Sequence, residues 1–108
     1  MGAEQRRYTR KTLSAMIKIT LPDGGIVNAV GLDISSDGIG FISVAQLFPN
    51  KFYTVDFDIV LYSKKEHISA VVQVVHSAFN EKKIGYRIGV QFKEITEEAL
   101  SFVSVFLR

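Results

Sequence analysis

Apolar and polar positions alternate with a period of two through most of this 108-residue chain, the mark of strands that bury one face. Leu13, Ala15, Ile17, Ile19 and Leu21 are apolar, with Ser14, Lys18 and Thr20 between them. Pro22-Asp23-Gly24-Gly25 follows, a turn in which Pro fixes φ and Gly accepts φ > 0. Residues 26–34 then read as the second arm of a hairpin, with Ile26, Val30, Leu32 and Ile34 expected on one face. Ser35-Ser36-Asp37-Gly38 turns the chain into a short strand at 39–44, which ends in a Pro49-Asn50 loop.

The clearest alternation spans 52–62, where Tyr53, Val55, Phe57, Ile59 and Leu61 are interleaved with Thr54, Asp56 and Asp58. A polar turn at 63–66 precedes a strand at 67–79. A second turn at 80–83 leads to a strand at 84–92, with Ile84, Tyr86, Ile88, Val90 and Phe92 on one face. Only the tail changes period. Thr96 can cap a helix whose first turn holds Glu97 and Glu98, favourable at the positive end of the helix dipole. Leu100, Val103, Phe106 and Leu107 then fall at helical spacing. The expected fold is mostly β: a small six-stranded antiparallel barrel with one C-terminal helix, because closure removes exposed strand edges.

Composition narrows the function classes. A chain 47% hydrophobic and 22% charged, with two prolines, is globular and long enough for one domain. The absence of Cys excludes disulfides, thiol nucleophiles and zinc–sulfur sites. No apolar run reaches the roughly 18–20 residues of a membrane-spanning helix, and no signal peptide is visible. A cytoplasmic protein without membrane insertion is expected. Charge is unevenly spread. Residues 1–11 carry Arg6, Arg7, Arg10 and Lys11 against Glu4, a local charge of +3, while residues 12–108 carry nine basic and ten acidic side chains. The pattern reads as a flexible basic arm, 1–11, ahead of a nearly neutral barrel domain, 12–108.

Catalytic chemistry finds no foothold. His67 and His76, nine apart on one strand, are expected on opposite faces and cannot share a metal. Asp56 and Asp58 share a face, but it is the polar side of an amphipathic strand rather than a cleft that would split their pKa values. The four tyrosines have no activating neighbour in the sequence, and no Ser–His–Asp order, Walker loop or metal motif is present. No enzyme activity, cofactor or metal is expected.

Two segments remain: Arg6-Arg7-Tyr8-Thr9-Arg10 and Asp33-Ile34-Ser35-Ser36-Asp37-Gly38. A guanidinium offers a rigid fork of donors for phosphate oxygens or the O6/N7 edge of guanine, and its flat face stacks on purines. Asp33 could accept from guanine N–H groups or orient an arginine, Ser35 could donate to phosphate, and Gly38 would permit φ > 0 and close ligand approach. Separately these are an ordinary basic tail and an ordinary Asx-type turn. Together they suit a guanine nucleotide.

In this order they resemble the PilZ domain, a bacterial receptor module for cyclic di-GMP. Arg6 and Arg10 match the family's Arg-x-x-x-Arg, and Asp33, Ser35 and Gly38 match its Asp/Asn-x-Ser-x-x-Gly. Gly38-Ile39-Gly40-Phe41 and Tyr86-Arg87-Ile88-Gly89-Val90-Gln91-Phe92 are also similar to PilZ sequence, extending the resemblance over residues 5–107. It implies a six-stranded barrel with a trailing helix. It also implies a site in which Arg6 and Arg10, with Arg7 between them, close over cyclic di-GMP lying against Asp33, Ser35 and Gly38, and a signal passed to a protein partner. Gln5 stands where an arginine in the family favours an intercalated ligand pair, which points to a single ligand molecule. The alternative is a PilZ-like adaptor of type IV pilus or flagellar machinery that binds no nucleotide. A small barrel binding nucleic acid through the same arm fits less well, given the neutral body.

Overall fold

The computed structural model of the protein describes residues 9–82 and 84–108. Among them are seven strands: β1 (Lys11–Thr12), β2 (Met16–Thr20), β3 (Ile26–Ile34), β4 (Gly38–Ser43), β5 (Phe52–Leu61), β6 (Lys64–Asn80) and β7 (Gly85–Ile95). One helix, α1 (Glu97–Phe106), follows. All pairings are antiparallel, in the order β1-β3-β2-β5-β6-β7-β4, and β4 returns to β3 to close a six-stranded barrel with β1 as an extra strand. The expected fold class is therefore observed. β1 and β2 lie in succession along the same edge of β3. Between them, hydrogen bonds from Leu13 N–H to Leu32 O and from Gly31 N–H to Ala15 O bridge an irregular step.

The barrel interior is filled by Ile17, Ile19, Val55, Phe57, Ile59, Ile68, Val72, Val74, Ile88 and Val90, with Phe41 fully enclosed among them. α1 is capped by the Thr96 hydroxyl, which accepts from Ala99 N–H at 3.0 Å, and it packs against β5 and β6. Its buried residues are Ala99 and Val103; Leu100, expected in the apolar stripe, is exposed because the stripe is centred one residue earlier. The last turn of α1 holds no basic residue of its own. Lys11 of β1 supplies one, donating to Phe106 O at 2.8 Å with its ammonium 4.6 Å from the Phe106 ring centroid.

Several sequence expectations fail for one reason: strict alternation assumes an unbroken ladder. In β3 the register shifts between Gly31 and Asp33. Upstream of that bulge Val27, Ala29 and Gly31 turn toward the core, leaving Ile26 and Val30 52% and 54% exposed; downstream Ile34 is fully buried. In β6 a second bulge leaves Val75 unpaired between Val74↔Val90 and His76↔Gly89. The extra residue puts His67 and His76 on the same outer face rather than on opposite ones. Turns also differ. β5 and β6 are joined through Tyr62 and Ser63 alone, at φ 52° and 67°, the doubly left-handed geometry that matches strand twist. β6 therefore begins at Lys64, three residues earlier than the expected strand. Ile84, expected on the buried face of the last strand, sits in the preceding turn at φ 49° and is 78% exposed.

On the outer face, His67 bridges Asp58 (Nδ1 to Oδ1, 2.9 Å) and Asp56 (Nε2 to Oδ1, 3.0 Å). The hydrogen bond to Asp58, then that to Asp56, holds its pKa above the ordinary histidine value. A raised folded-state pKa adds stability that is fully present below the unfolded value and is lost as pH rises through the folded one. Raising the pH from about 6 to about 9 should therefore lower the melting temperature of the wild type more than that of His67→Gln. Thermal melts across that range give the comparison.

Two further outcomes follow from the packing. Lys11→Ala should cost about 0.5–1 kcal/mol, the scale of a cation at a helix C-terminus, and speed amide exchange in the last turn of α1. A Cβ on Gly38 would overlap Val90 O of β7 and lie 3.0 Å from Gln91 Cα. Gly38→Ala should therefore destabilise by at least about 2 kcal/mol, in the overpacking range, as read by urea unfolding.

Candidate functional site

The bulge that reverses β3 aims Asp33 outward, opposite Gly40 of β4. Arg10, just before β1, places Nη1 3.6 Å from Asp33 Oδ1, and Arg87 of β7 places Nη2 3.8 Å from Asp33 Oδ2. One carboxylate thus faces two guanidiniums at ion-pair distance, neither close enough to be a strong hydrogen bond. Asp33 Oδ1 is enclosed and has no hydrogen-bond donor among the described residues. An acceptor in that condition costs free energy until a donor reaches it. Gly40 makes the arrangement possible, because a Cβ there would sit 2.7 Å from Asp33 Oδ1.

The turn between β3 and β4 is built around Ser35, only 2% exposed. Its N–H donates to Gly38 O at 2.9 Å. Its hydroxyl accepts from Asp37 N–H at 3.1 Å and from Gly38 N–H at 3.3 Å. The turn is pinned to β7 as well: Phe92 N–H donates to Asp37 O at 2.8 Å, and Gln91 Nε2 donates to Asp37 Oδ2 at 3.4 Å. Gly38 does not have the φ > 0 expected for it; among the described residues Gly24 alone of the glycines does. What Gly38 admits is the backbone of β7, not a left-handed turn.

Of the residues singled out by sequence, Arg10 and Asp33 are brought into contact, and Ser35 and Gly38 hold the turn beside them. Arg6 and Arg7 lie outside the described residues. Sequence reasoning missed Arg87 and Gly40, although both fall in the runs that carried the resemblance. Their signal is visible in retrospect. Arg87 is a charge flanking the inward Ile88, and Gly40 is a second glycine in a strand whose other residues are Ile39, Phe41, Ile42 and the terminal Ser43. The site is an open patch of barrel surface. A depression of about 410 Å³ lined by Thr54, Ser69, Glu94 and Thr96 lies on other residues.

Among the described residues, no helix is long and apolar enough to cross a membrane, and no group of His, Cys, Asp and Glu is placed to hold a metal ion. No curated protein matches the chain by sequence. The fold is similar to the Bacillus subtilis inhibitor of motility MotI/DgrA, with a TM-score of 0.80 and 14% identity over 91% of this chain and 47% of that one. It is similar also to the PilZ domain of YcgR from Escherichia coli with c-di-GMP (TM-score 0.72, 13% identity, 95% and 88% of the two chains). The K. pneumonia MrkH–c-di-GMP complex gives a TM-score of 0.68 and 18% identity, covering 94% of this chain and 50% of that one. This chain thus spans about half the length of MotI/DgrA and of MrkH. A family model of the PilZ domain matches residues 4–106, nearly the whole of the barrel and its helix, so the chain belongs to the PilZ domain family.

Proposed function

We propose that this protein is a bacterial cyclic di-GMP receptor that binds the nucleotide on the barrel surface around Asp33. The observation that carries the reading is the Asp33 carboxylate, with one oxygen lacking a donor and a guanidinium at each side. Guanine N–H groups are donors of the kind that oxygen needs, and the phosphates are the anions for which Arg10 and Arg87 are suited. Arg6 and Arg7 complete the cationic side and close over the ligand, whereas Ser35 and Gly38 act by holding the turn in place. The structures of YcgR and MrkH with c-di-GMP support this ligand for the fold.

The role is that of a cytoplasmic receptor rather than an enzyme, with output through a protein partner. Arg10 and Lys11 are consecutive in the chain, one directed to Asp33 and the other to the end of α1. A ligand that draws Arg10 away from Asp33 therefore pulls on the residue next to the helix tether. That adjacency supports a relay in which residues 5–10 become ordered over the nucleotide and the altered surface is read by an effector. Amide exchange across residues 5–11, with and without cyclic di-GMP, tests it; equal protection in both states would rule the relay out.

Calorimetric titration with cyclic di-GMP should show saturable binding that weakens with added salt, whereas GTP and cyclic AMP should bind far less well. Arg10→Ala should weaken binding by about 1.5–3 kcal/mol, the scale of hydrogen bonds to charged groups, and leave the melting temperature nearly unchanged. Wild-type protein that takes up no cyclic di-GMP would overturn the reading and leave a PilZ fold used as an adaptor.

A further inference from the structure

The cross-strand register continues past Asp33. Asp33 of β3 lies opposite Gly40 of β4, Gly40 opposite Gly89 of β7, and Gly89 opposite His76 of β6. The rung thus runs from a carboxylate to an imidazole across two residues without side chains. At 4.7–4.9 Å per strand, its three steps span about 14 Å. Both ends are set by bulges: that at Leu32 turns Asp33 outward, and that at Val75 does the same for His76. Bulges re-aim side chains in this way beside binding sites.

The two glycines differ in kind. Gly40 is required by its neighbour, since a Cβ would collide with Asp33 Oδ1. Gly89 is required by nothing in the barrel. A Cβ there would meet only His76 Cβ, at 3.8 Å, an ordinary contact. A glycine in a strand interior costs roughly 0.5–1 kcal/mol relative to alanine. Where packing does not demand it, a strand glycine marks a bulge, a bend or the close approach of another group. The bulge beside Gly89 is formed by Val75 of β6, which leaves close approach as the reason for Gly89 itself. Two residues away along β7, Arg87 and Gln91 flank Gly89 on the same outer face. The bare backbone is therefore framed by four polar side chains: Asp33, Arg87, Gln91 and His76.

We propose that His76 is a further ligand-contacting residue of the site. In this arrangement a guanine ring lies flat on the backbone at Gly40 and Gly89, with the imidazole against its far side. The inference rests on the cyclic di-GMP reading and deepens it by assigning where a base sits. Asp33 takes the ring's N–H donors, Arg87 lies within reach of its acceptor edge, and His76 supplies a flat aromatic face to the base. The imidazole side of the rung thereby favours a purine nucleotide over a simple phosphate ester, which would need only the arginines.

The test is calorimetric titration of cyclic di-GMP into wild type, His76→Ala, His76→Phe, Gly89→Ala, Gly89→Leu and Arg10→Ala, with a thermal melt of each. His76→Ala should raise Kd at least about fivefold, the lower end of what base–aromatic stacking contributes. His76→Phe should restore most of the affinity, since the flat ring is kept. Gly89→Ala should melt at or above the wild-type temperature and yet bind more weakly, a pairing that a structural glycine would not give; Gly89→Leu should bind more weakly still. If His76→Ala and Gly89→Leu bind like wild type while Arg10→Ala does not, the base lies elsewhere and this inference is overturned, with the cyclic di-GMP reading intact. If His76→Ala loses affinity and Arg10→Ala does not, the inference stands and Arg10's assigned role falls. Wild-type protein that fails to bind overturns both.

Discussion

Everything at the Asp33 surface depends on one interruption of the β3 ladder. In an unbroken strand of alternating residues, a barrel must choose between burying Ile34 and burying Ala29, because they are an odd number of positions apart. The extra residue at Leu32 removes the conflict: Ala29 and Ile34 both enter the core, and Asp33 is left facing outward between them. A carboxylate facing inward would carry a desolvation cost that no partner in this apolar interior could offset. The bulge is thus the feature that lets the core close and the site exist in the same strand.

The second constraint is proximity of backbones. β4 is buried along nearly its whole length, and two of its six residues are glycines at alternate positions. Gly38 lets β7 approach closely enough to receive the turn, and Gly40 lets the Asp33 carboxylate lie against the strand beside it. The Ser35 hydroxyl, the Asp37 carbonyl and the Phe92 N–H then fix the turn to β7. These groups are satisfied internally. Asp33 and the arginines are the reverse: Oδ1 lacks a donor among the described residues, and the two guanidiniums stand at ion-pair distance only. Satisfied and unsatisfied polar groups are therefore divided between neighbouring residues of one short motif.

How much of this was legible in the sequence depended on the kind of information each residue carries. Period-two alternation and the change of period at Thr96 gave the barrel and its helix. The paired motif drew attention to Arg10 and Asp33, which the fold brings together from 23 residues apart. What alternation could not carry was any register shift. A bulge changes the face of every residue beyond it, so the inward set of β3 and the side on which His76 stands were both misread. Tight turns formed without glycine, as at Tyr62-Ser63, were invisible for a related reason: their φ values come from strand twist and closure rather than from residue type. Arg87 was in plain view but reads as a solvated charge until Asp33 is seen across the sheet.

The distribution of charge completes the physical picture. A shallow surface cannot exclude water as a pocket does, so Coulomb attraction between exposed groups there is weakened by solvent and salt. Few cations spread over the barrel would gain little from a dianion. The sequence instead gathers Arg6, Arg7, Arg10 and Lys11 into one short segment, and the fold anchors the end of that segment beside Asp33 through the Lys11↔Ile34 and Thr12↔Asp33 pairs. Arg87 reaches the same carboxylate from β7, across the intervening β4. Cations arriving from two directions on one acidic side chain orient it while leaving their own donor forks incompletely used. The fold itself holds Arg10 and Arg87 beside Asp33, so the entropy of gathering those two guanidiniums is spent on folding.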